Sequence, residues 1–599
     1  MAKARFVLPI LLACTAHAWA QSPDGARVFQ QTCASCHTGA PESRAPSAEA
    51  LRARAPQAIV DSLVTGAMRP QGSRLSGAER RAVAEFLTGK VIAGDVSGAS
   101  MGRCSTSMPF ADPASGPRWA GWSPAAANTR FQSADQAGLS LADIPRLTLK
   151  WAFGFPDASV AWAQPTVAGG RVFVGSQNGT VYSLDAKTGC IRWTFAASGG
   201  VRTAIAIGAP GATGRSIVYF GDTGANAYAL DADTGQRLWV QRVDEHLAAR
   251  ITGSPTLYEG RLYVPVASYE EGQGADPQYP CCTFRGSLVA LDAASGAIVW
   301  KTYMITEPLQ RRGTSSAGVP LWGPSGAGIW SAPTVDPVRR VVYVATGNAY
   351  SAPATGSSDA VVALDMTTGT IRWMRQVTSN DVYVSSCRAG NANCPDALGP
   401  DHDFGSPPVL ARAGDRDVIV IGQKSGLAYA MDPDRNGELL WQYRAGQGGV
   451  LGGIEWGAAV ESGRAYFAVS DITTPQPGGL HAISLATGVR VWFTPPSSPT
   501  CGSGRGCNGA QSAAVTAIPG AVFSGSNDGA LRAYSTTTGE VLWEFDTNRE
   551  FTSVNGVPAR GASMIGPGAA VAGGMVYVNS GYGAFGGRPG NVLLAFGLE

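Results

Sequence analysis

The apolar and polar positions of this chain recur as one short phrase. A small residue, an apolar residue and Asp are followed by Thr-Gly or a near equivalent, three further residues and a Trp. The clearest copies are Asp185…Gly189…Trp193, Asp231…Gly235…Trp239, Asp292…Gly296…Trp300 and Asp365…Gly369…Trp373. Asp432…Gly437…Trp441 carries one inserted residue, and Ser484…Gly488…Trp492 and Ser535…Gly539…Trp543 replace the Asp. A fixed phrase recurring at this spacing predicts an all-β propeller with four strands per blade, in which a Gly-Trp turn joins two strands and the indole docks between neighbouring blades.

Seven complete phrases predict eight blades, because two incomplete ones flank them. Leu149-Lys-Trp151-Ala-Phe153 reads as a Trp-bearing strand without its upstream partner, and Asn591-Val-Leu-Leu-Ala-Phe596 as a strand without its Gly and Trp. Pairing the two closes the ring and removes the exposed edges of an open propeller. Eight of the 15 Trp residues are thereby assigned to docking, and Trp19 falls in a leader.

Composition places the ring outside the cytoplasm. The 599 residues include 77 Gly and 38 Pro and carry a net charge of +2, with no basic block to suit nucleic acid or an anionic membrane. No apolar run reaches the ~18 residues of a membrane helix. Lys3 and Arg5, an apolar Phe6–Ala13 and Ala18-Trp-Ala20 form a secretory signal over residues 1–20, which implies a periplasmic protein. Leu11-Leu-Ala-Cys14 is an alternative, lipoprotein-type cleavage site. Of the 11 Cys, Cys14 lies in the leader and Cys33 and Cys36 in a separate motif, so eight remain to pair in an oxidising compartment. Cys387 with Cys394 and Cys501 with Cys507 suit local staples, and Cys104 and Cys190 are left for each other. Cys281 and Cys282 are adjacent; they bond to each other or each to a distant partner.

Cys33-Ala-Ser-Cys36-His37 is a covalent haem c attachment site, with two thioether cysteines and His37 as proximal iron ligand. A zinc site would need further Cys or His, and the next His is His246. Met68, in Gly66-Ala-Met68-Arg-Pro70, precedes a capping-box pattern at Ser76…Glu79 and is the candidate second axial ligand; Met101 and Met108 are the fallbacks. A small all-α cytochrome c domain is therefore expected over residues 21–92. Residues 93–140 form a linker and lead-in, and 141–599 the propeller.

The spacing between docking Trp residues points to the functional face. It runs from 42 and 46 residues to 61, 73 and 68, then falls to 51 and 51. The surplus lies in the third to fifth repeats, where long loops would build one face of the ring. Those loops hold Glu270, Glu271, Cys281, Cys282, Trp330 and Asn348.

A haem c domain joined to an eight-bladed Trp-turn propeller resembles the quinoprotein alcohol dehydrogenases, which bind pyrroloquinoline quinone (PQQ) and Ca²⁺ on the propeller axis. The haem domain leads here, as in the cytochrome-type polyvinyl-alcohol dehydrogenases. The resemblance spans the mature chain and includes Asn128-Thr-Arg-Phe-Gln132, Cys281-Cys-Thr-Phe-Arg-Gly286 and Gly452-Gly-Ile-Glu-Trp-Gly457. It implies Trp330 as the floor beneath the quinone and Asn348, 18 residues on, as a Ca²⁺ ligand. A flat indole suits stacking on a tricyclic quinone, and an amide oxygen suits a hard cation. Glu270 or Glu271 falls where the family places a Ca²⁺-binding carboxylate. A Cys281–Cys282 ring matches one that the family presses on the quinone, although there it lies in an earlier blade. Lys424 resembles the cation that polarises the quinone carbonyl, and Arg202 a carboxylate-binding Arg. The family's Trp-Asp step after the Trp373 turn is absent: Val384 stands at the Asp position, and Asp381 is the nearest carboxylate to serve as catalytic base.

The expected activity is periplasmic oxidation of secondary alcohols, those of polyvinyl alcohol in the first place. Electrons would pass from PQQ to haem c and on to an external acceptor such as a soluble cytochrome c. The alternatives are a dehydrogenase of a small alcohol or sugar with the same cofactors, and a non-catalytic propeller scaffold of the outer-membrane assembly type.

Overall fold

The structure is a computed structural model that describes residues 24–40, 45–64, 67–72, 75, 77–90, 92, 98, 101–208, 214–385, 387, 392–395, 397–504 and 506–599. The signal segment with Cys14, and Ser76 of the capping-box pattern, lie outside the described residues.

The described residues form eight antiparallel four-stranded blades. The first runs from Thr166–Ala168 to Ile191–Ala196, and the seventh from Thr516–Ile518 to Val541–Asp546. The third carries an extra short strand, Ala249–Arg250. The eighth is built from both ends of the chain: Thr148–Gly154 is its outer strand and pairs with Val592–Gly597, setting Leu149 opposite Phe596 and Trp151 opposite Ala595. The two incomplete phrases thus close the ring, and Phe153, Leu593 and Ala595 are fully buried where they meet.

The repeated phrase has a geometric cause. Each phrase glycine adopts a left-handed backbone, and the indole of the preceding blade lies against it. A Cβ built on Gly235 (φ +73) would stand 2.6 Å from the Trp193 ring, and one on Gly296 (φ +76) 2.7 Å from the Trp239 ring. Only glycine meets both conditions, the positive φ and the absent side chain. The indole N–H then donates across the blade boundary: Trp193 to the Ala232 carbonyl at 3.0 Å, Trp441 to that of Leu485 at 2.8 Å. At the closing blade no phrase follows, and Trp543 donates to Leu147 in the lead-in at 3.1 Å.

The lead-in itself fastens the inner ends of the blades. Backbone carbonyls of Ala126, Ala127, Thr129 and Arg130 accept from Val335, Leu410, Val460 and Ala517, which belong to the fourth to seventh blades. Gln132 donates to Val571 in the eighth, and Trp119 pairs with Val167 in the first. Arg130 is fully buried between Trp119 and Trp122 and donates to Val515, Thr516 and the Trp122 carbonyl. Such complete pairing is what a buried guanidinium requires.

Ahead of the ring, helices Gly25–Thr32, Ala48–Arg52, Pro56–Val64, Arg69–Gly72 and Gly77–Thr88 enclose a core of Val28, Phe29, Val60, Leu63, Val83 and Leu87. The first and last cross closely at Gly25, where a Cβ would collide with the Ala82 carbonyl. This helical part rests on the first blade. The Gly77 N–H donates to the Asn178 carbonyl, Arg80 Nη2 donates to Gln177 O at 2.9 Å, and Arg81 pairs with Asp157 at 3.5 Å. Among the described residues there are four disulfides: Cys104–Cys190, Cys281–Cys282, Cys387–Cys394 and Cys501–Cys507.

Candidate active site

One cavity of about 280 Å³ opens between the ring and the helical part, with Leu63 and Arg80 on its haem-domain side. Its floor is Trp330, which enters from the long segment leading into the fourth blade. The indole lies over Gly405, where a Cβ would stand 2.2 Å from the ring, so a bare backbone provides its seat. Trp456 meets Trp330 edge to face at 5.4 Å. Neither indole N–H has a partner among the described residues. Arg202 stands 4.4 Å over the Trp456 ring, and Lys424 5.7 Å over that of Trp330. Two cations, a flat aromatic floor and unspent N–H donors suit a planar, polyanionic, carbonyl-rich group such as PQQ.

The cavity also holds a set of oxygen ligands. Asn348 and Glu271 both line the cavity. The Asn348 amide nitrogen donates to the carbonyls of Ala349 (2.8 Å) and Tyr383 (2.9 Å), which fixes the ring-facing role on its Oδ1. The Asn348 backbone N–H donates to Asp403 Oδ1 at 2.6 Å, placing a second carboxylate beside it. Burial, then the Asp403 charge, pushes the Glu271 carboxyl up to about 7, against the opposing pull of Ser385 and Lys424. This donor set fits a hard cation such as Ca²⁺.

The neighbouring Glu270 is differently employed. It is fully buried, and its carboxylate accepts from the N–H groups of Thr283 and Phe284, both at 2.7 Å, and from the Tyr279 hydroxyl at 3.0 Å. It fastens the loop after Cys281–Cys282. Neither cysteine lines the cavity; both are buried in the apolar cluster of the third blade with Phe284 and Tyr350.

Asp381 also stands back from the cavity. Its carboxylate accepts from the backbone N–H groups of His402 (2.6 Å) and Asp401 (3.1 Å), and Gly399 packs directly against it. Val384, at the family's Asp position, is buried. The residues that Asp381 shapes are the acidic ones closest to Lys424, whose Nζ lies 3.0 Å from both Asp401 oxygens and 3.3 Å from Asp403 Oδ2. Sequence reasoning passed over Asp401 and Asp403. The signal available was an Asp-His-Asp triplet between Pro400 and Gly405, inside one of the enlarged loops.

In the helical part, Cys33 and the partly buried Met68 belong to the same apolar cluster. His37 is buried, and its Nδ1 meets the Pro46 carbonyl at 2.7 Å, leaving Nε2 for an iron. Thiols, imidazole and thioether make a fitting donor set for haem c. Met101 and Met108 are exposed and lie against the ring, Met101 beside Gly556 and Met108 beside Arg192.

Comparison with known proteins agrees with both parts. Residues 148–320, 285–448 and 423–588 match a repeat family described as outer membrane protein assembly factor BamB, and residues 20–87 match cytochrome C oxidase, cbb3-type, subunit III. The chain is 41% identical to a polyvinylalcohol dehydrogenase of Pseudomonas sp over all of its own length and 98% of the relative's. It is 40% identical to that of Sphingopyxis sp. over 96% of this chain and 93% of the relative. Among solved structures, a quinohemoprotein alcohol dehydrogenase of Pseudomonas putida aligns with a TM-score of 0.62 at 18% identity, covering 84% of this chain and 83% of that one, and so shares the fold. Sequence kinship over the whole length, with a haem-attachment domain in front of the ring, places this chain in the polyvinyl alcohol dehydrogenase family of PQQ- and haem-dependent oxidoreductases.

Proposed function

We propose that the protein oxidises secondary alcohol groups of polyvinyl alcohol to ketones in the periplasm, with Ca²⁺ beside PQQ in the cavity, and delivers the electrons through haem c to a soluble acceptor. The observation that carries this reading is the cavity itself: an indole floor, two cations and a set of oxygen ligands converge beneath a haem-binding domain. An exported protein suits a polymer too large to enter a cell. No helix among the described residues is long and apolar enough to cross a membrane.

PQQ, when bound, accepts the hydride of the carbinol carbon and gives the electrons up singly. The chain's own residues hold and orient. Trp330 would support the ring system, Lys424 and Arg202 would face its oxygens, and Glu271 and Asn348 would hold the cation, with Asp403 beside them. The alcohol proton requires a carboxylate. Asp381 accepts from the His402 and Asp401 N–H groups away from the cavity, and we assign the proton to Asp403, the carboxylate of that turn that lines the cavity, 3.3 Å from Lys424 Nζ. Asp381 then acts as a positioning residue for the 401–403 turn. The vicinal disulfide stiffens the wall behind Glu271 from outside the cavity.

The test is to load the haem protein with PQQ and Ca²⁺, add polyvinyl alcohol or small secondary alcohols, and follow the haem absorption. Reduction of the haem by the polymer is expected. An unchanged haem spectrum with every alcohol overturns the reading, and reduction by small alcohols alone reassigns the substrate to that class.

A further inference from the structure

The run Gly452-Gly-Ile-Glu-Trp-Gly457 contributes a second ionisable group to the cavity. Glu455 lines it beside Trp456 and is 5% exposed. Its Oε1 is buried and has no hydrogen-bond partner among the described residues, and the Trp456 Nε1 next to it has none either. An oxygen left bare in a closed cavity costs about 1–3 kcal/mol, more if it is charged, so such an atom is a strong pointer to a ligand. The backbone around it is fixed by the same seat that supports the floor. Gly405, under Trp330, abuts the Glu455 carbonyl, and Ser406 Oγ donates to that carbonyl at 3.4 Å. The Glu455 backbone is thereby held in place beside Trp330.

The charges around the group decide its form. Burial pushes the carboxyl up to about 7, and the Asp471 charge adds to this. The Lys424 ammonium acts in the other direction, as do the Ser470 hydroxyl and the Trp456 N–H, which lie near the carboxyl but outside hydrogen-bond geometry with its Oε1. Lys424 is already committed to Asp401 and Asp403, and Arg202 is stacked on the far ring of Trp456. Asp471 is itself occupied by the N–H groups of Gln447, Gly448 and Gly453. Among the described residues Glu455 forms no ion pair, and Lys424 acts on it only from a distance.

We propose that Glu455 presents a protonated carboxyl to the cavity and donates a hydrogen bond to an oxygen of the bound quinone, making it a further binding residue of the site. This rests on the PQQ reading above. Ionisation of Glu455 would replace that donor by a negative charge facing a polyanionic ligand. Affinity is therefore lost as pH rises through the group's titration.

The experiment measures PQQ binding to the Ca²⁺-loaded haem protein by quenching of tryptophan fluorescence, from about pH 6 to about pH 9. The native haem and circular-dichroism spectra serve as the check of folding. Wild type is expected to weaken roughly tenfold or more across this range. Glu455→Gln, which keeps a donor and cannot ionise, should bind tightly with a flat profile. Glu455→Ala should bind at least roughly tenfold more weakly at the acidic end. A Glu455→Gln protein with the wild-type pH profile, or a Glu455→Ala protein with wild-type affinity at the acidic end, overturns the inference. Failure of wild type itself to bind PQQ would instead strike the underlying cofactor reading.

Discussion

Glu270 and Glu271 are neighbours in sequence and occupy opposite environments. Glu270 is saturated by the Thr283 and Phe284 N–H groups and by Tyr279, whereas Glu271 faces the cavity and Asp403. Glu270→Gln should leave one backbone donor without a charged acceptor and destabilise the protein by about 2 kcal/mol, read as a fall in the denaturant midpoint. Glu271→Gln should leave the metal-free midpoint close to wild type and weaken Ca²⁺ binding, read by titration of the cation. A second residue-scale expectation concerns His481, buried beside Phe493 and bonded to the Tyr443 hydroxyl at 3.0 Å. Burial lowers its pKa from 6.5 to about 4. Between those values the unfolded chain binds the proton and the folded one does not, so stability rises with pH through this window and is complete above it. The loss should reach about 2 kcal/mol by about pH 5. His481→Gln should flatten the difference in denaturant midpoint between about pH 7 and about pH 5; an unchanged slope would assign it to other groups. At this scale the sequence was only partly legible. Trp330 and Asn348 could be located by type and spacing, but nothing in the order Glu270-Glu271 says which side chain turns inward. The choice between Asp381 and Asp403 depends on which carboxylate the folded 401–403 turn brings to the cavity.

At the scale of the element, the Gly-Trp turn does two jobs with one residue. Gly296 needs a left-handed backbone, and it also leaves room for Trp239. Gly260 has the same need (φ +70) with open space around it. Gly260→Ala should therefore cost about 1 kcal/mol, the conformational penalty alone. Gly296→Ala should cost about 1–3 kcal/mol more, because the added methyl must displace an indole. Equal losses of denaturant midpoint in the two variants would show that the indole yields freely. Periodicity made these turns readable, since every blade boundary repeats the same steric problem. The same reasoning found the split eighth blade, because Trp151 is a phrase without its first half. It did not reveal the lead-in's part in the ring. The contacts of Ala126–Gln132 with the fourth to eighth blades are backbone bonds, and one from the Gln132 side chain, to residues hundreds of positions away, and they leave no periodic trace.

At the scale of the molecule, the docking of the helical part decides whether the two redox centres work as one. Its last helix meets the first blade through Gly77, Arg80 and Arg81, and Arg80 is both a docking residue and a wall of the cavity. Arg80 is 2% exposed, and burial lowers its pKa to about 10, which leaves the cation intact at neutral pH. Removing it would leave the Gln177 carbonyl without this donor and open a gap between the domains. Electron transfer falls steeply with separation, whereas the residues proposed to hold PQQ, Trp330, Lys424 and Arg202, all belong to the ring. Arg80→Ala should therefore retain PQQ affinity and alcohol oxidation with a small artificial acceptor that reaches the cavity directly. Its rate of haem reduction by alcohol should fall by roughly tenfold or more, equivalent to about 1.4 kcal/mol of barrier. Stopped-flow absorption of the haem, set against dye reduction, separates the two. Parallel loss of both activities would make Arg80 a residue of the cavity first, and parallel retention would show that the remaining contacts at Gly77 and Arg81 hold the domains together without it.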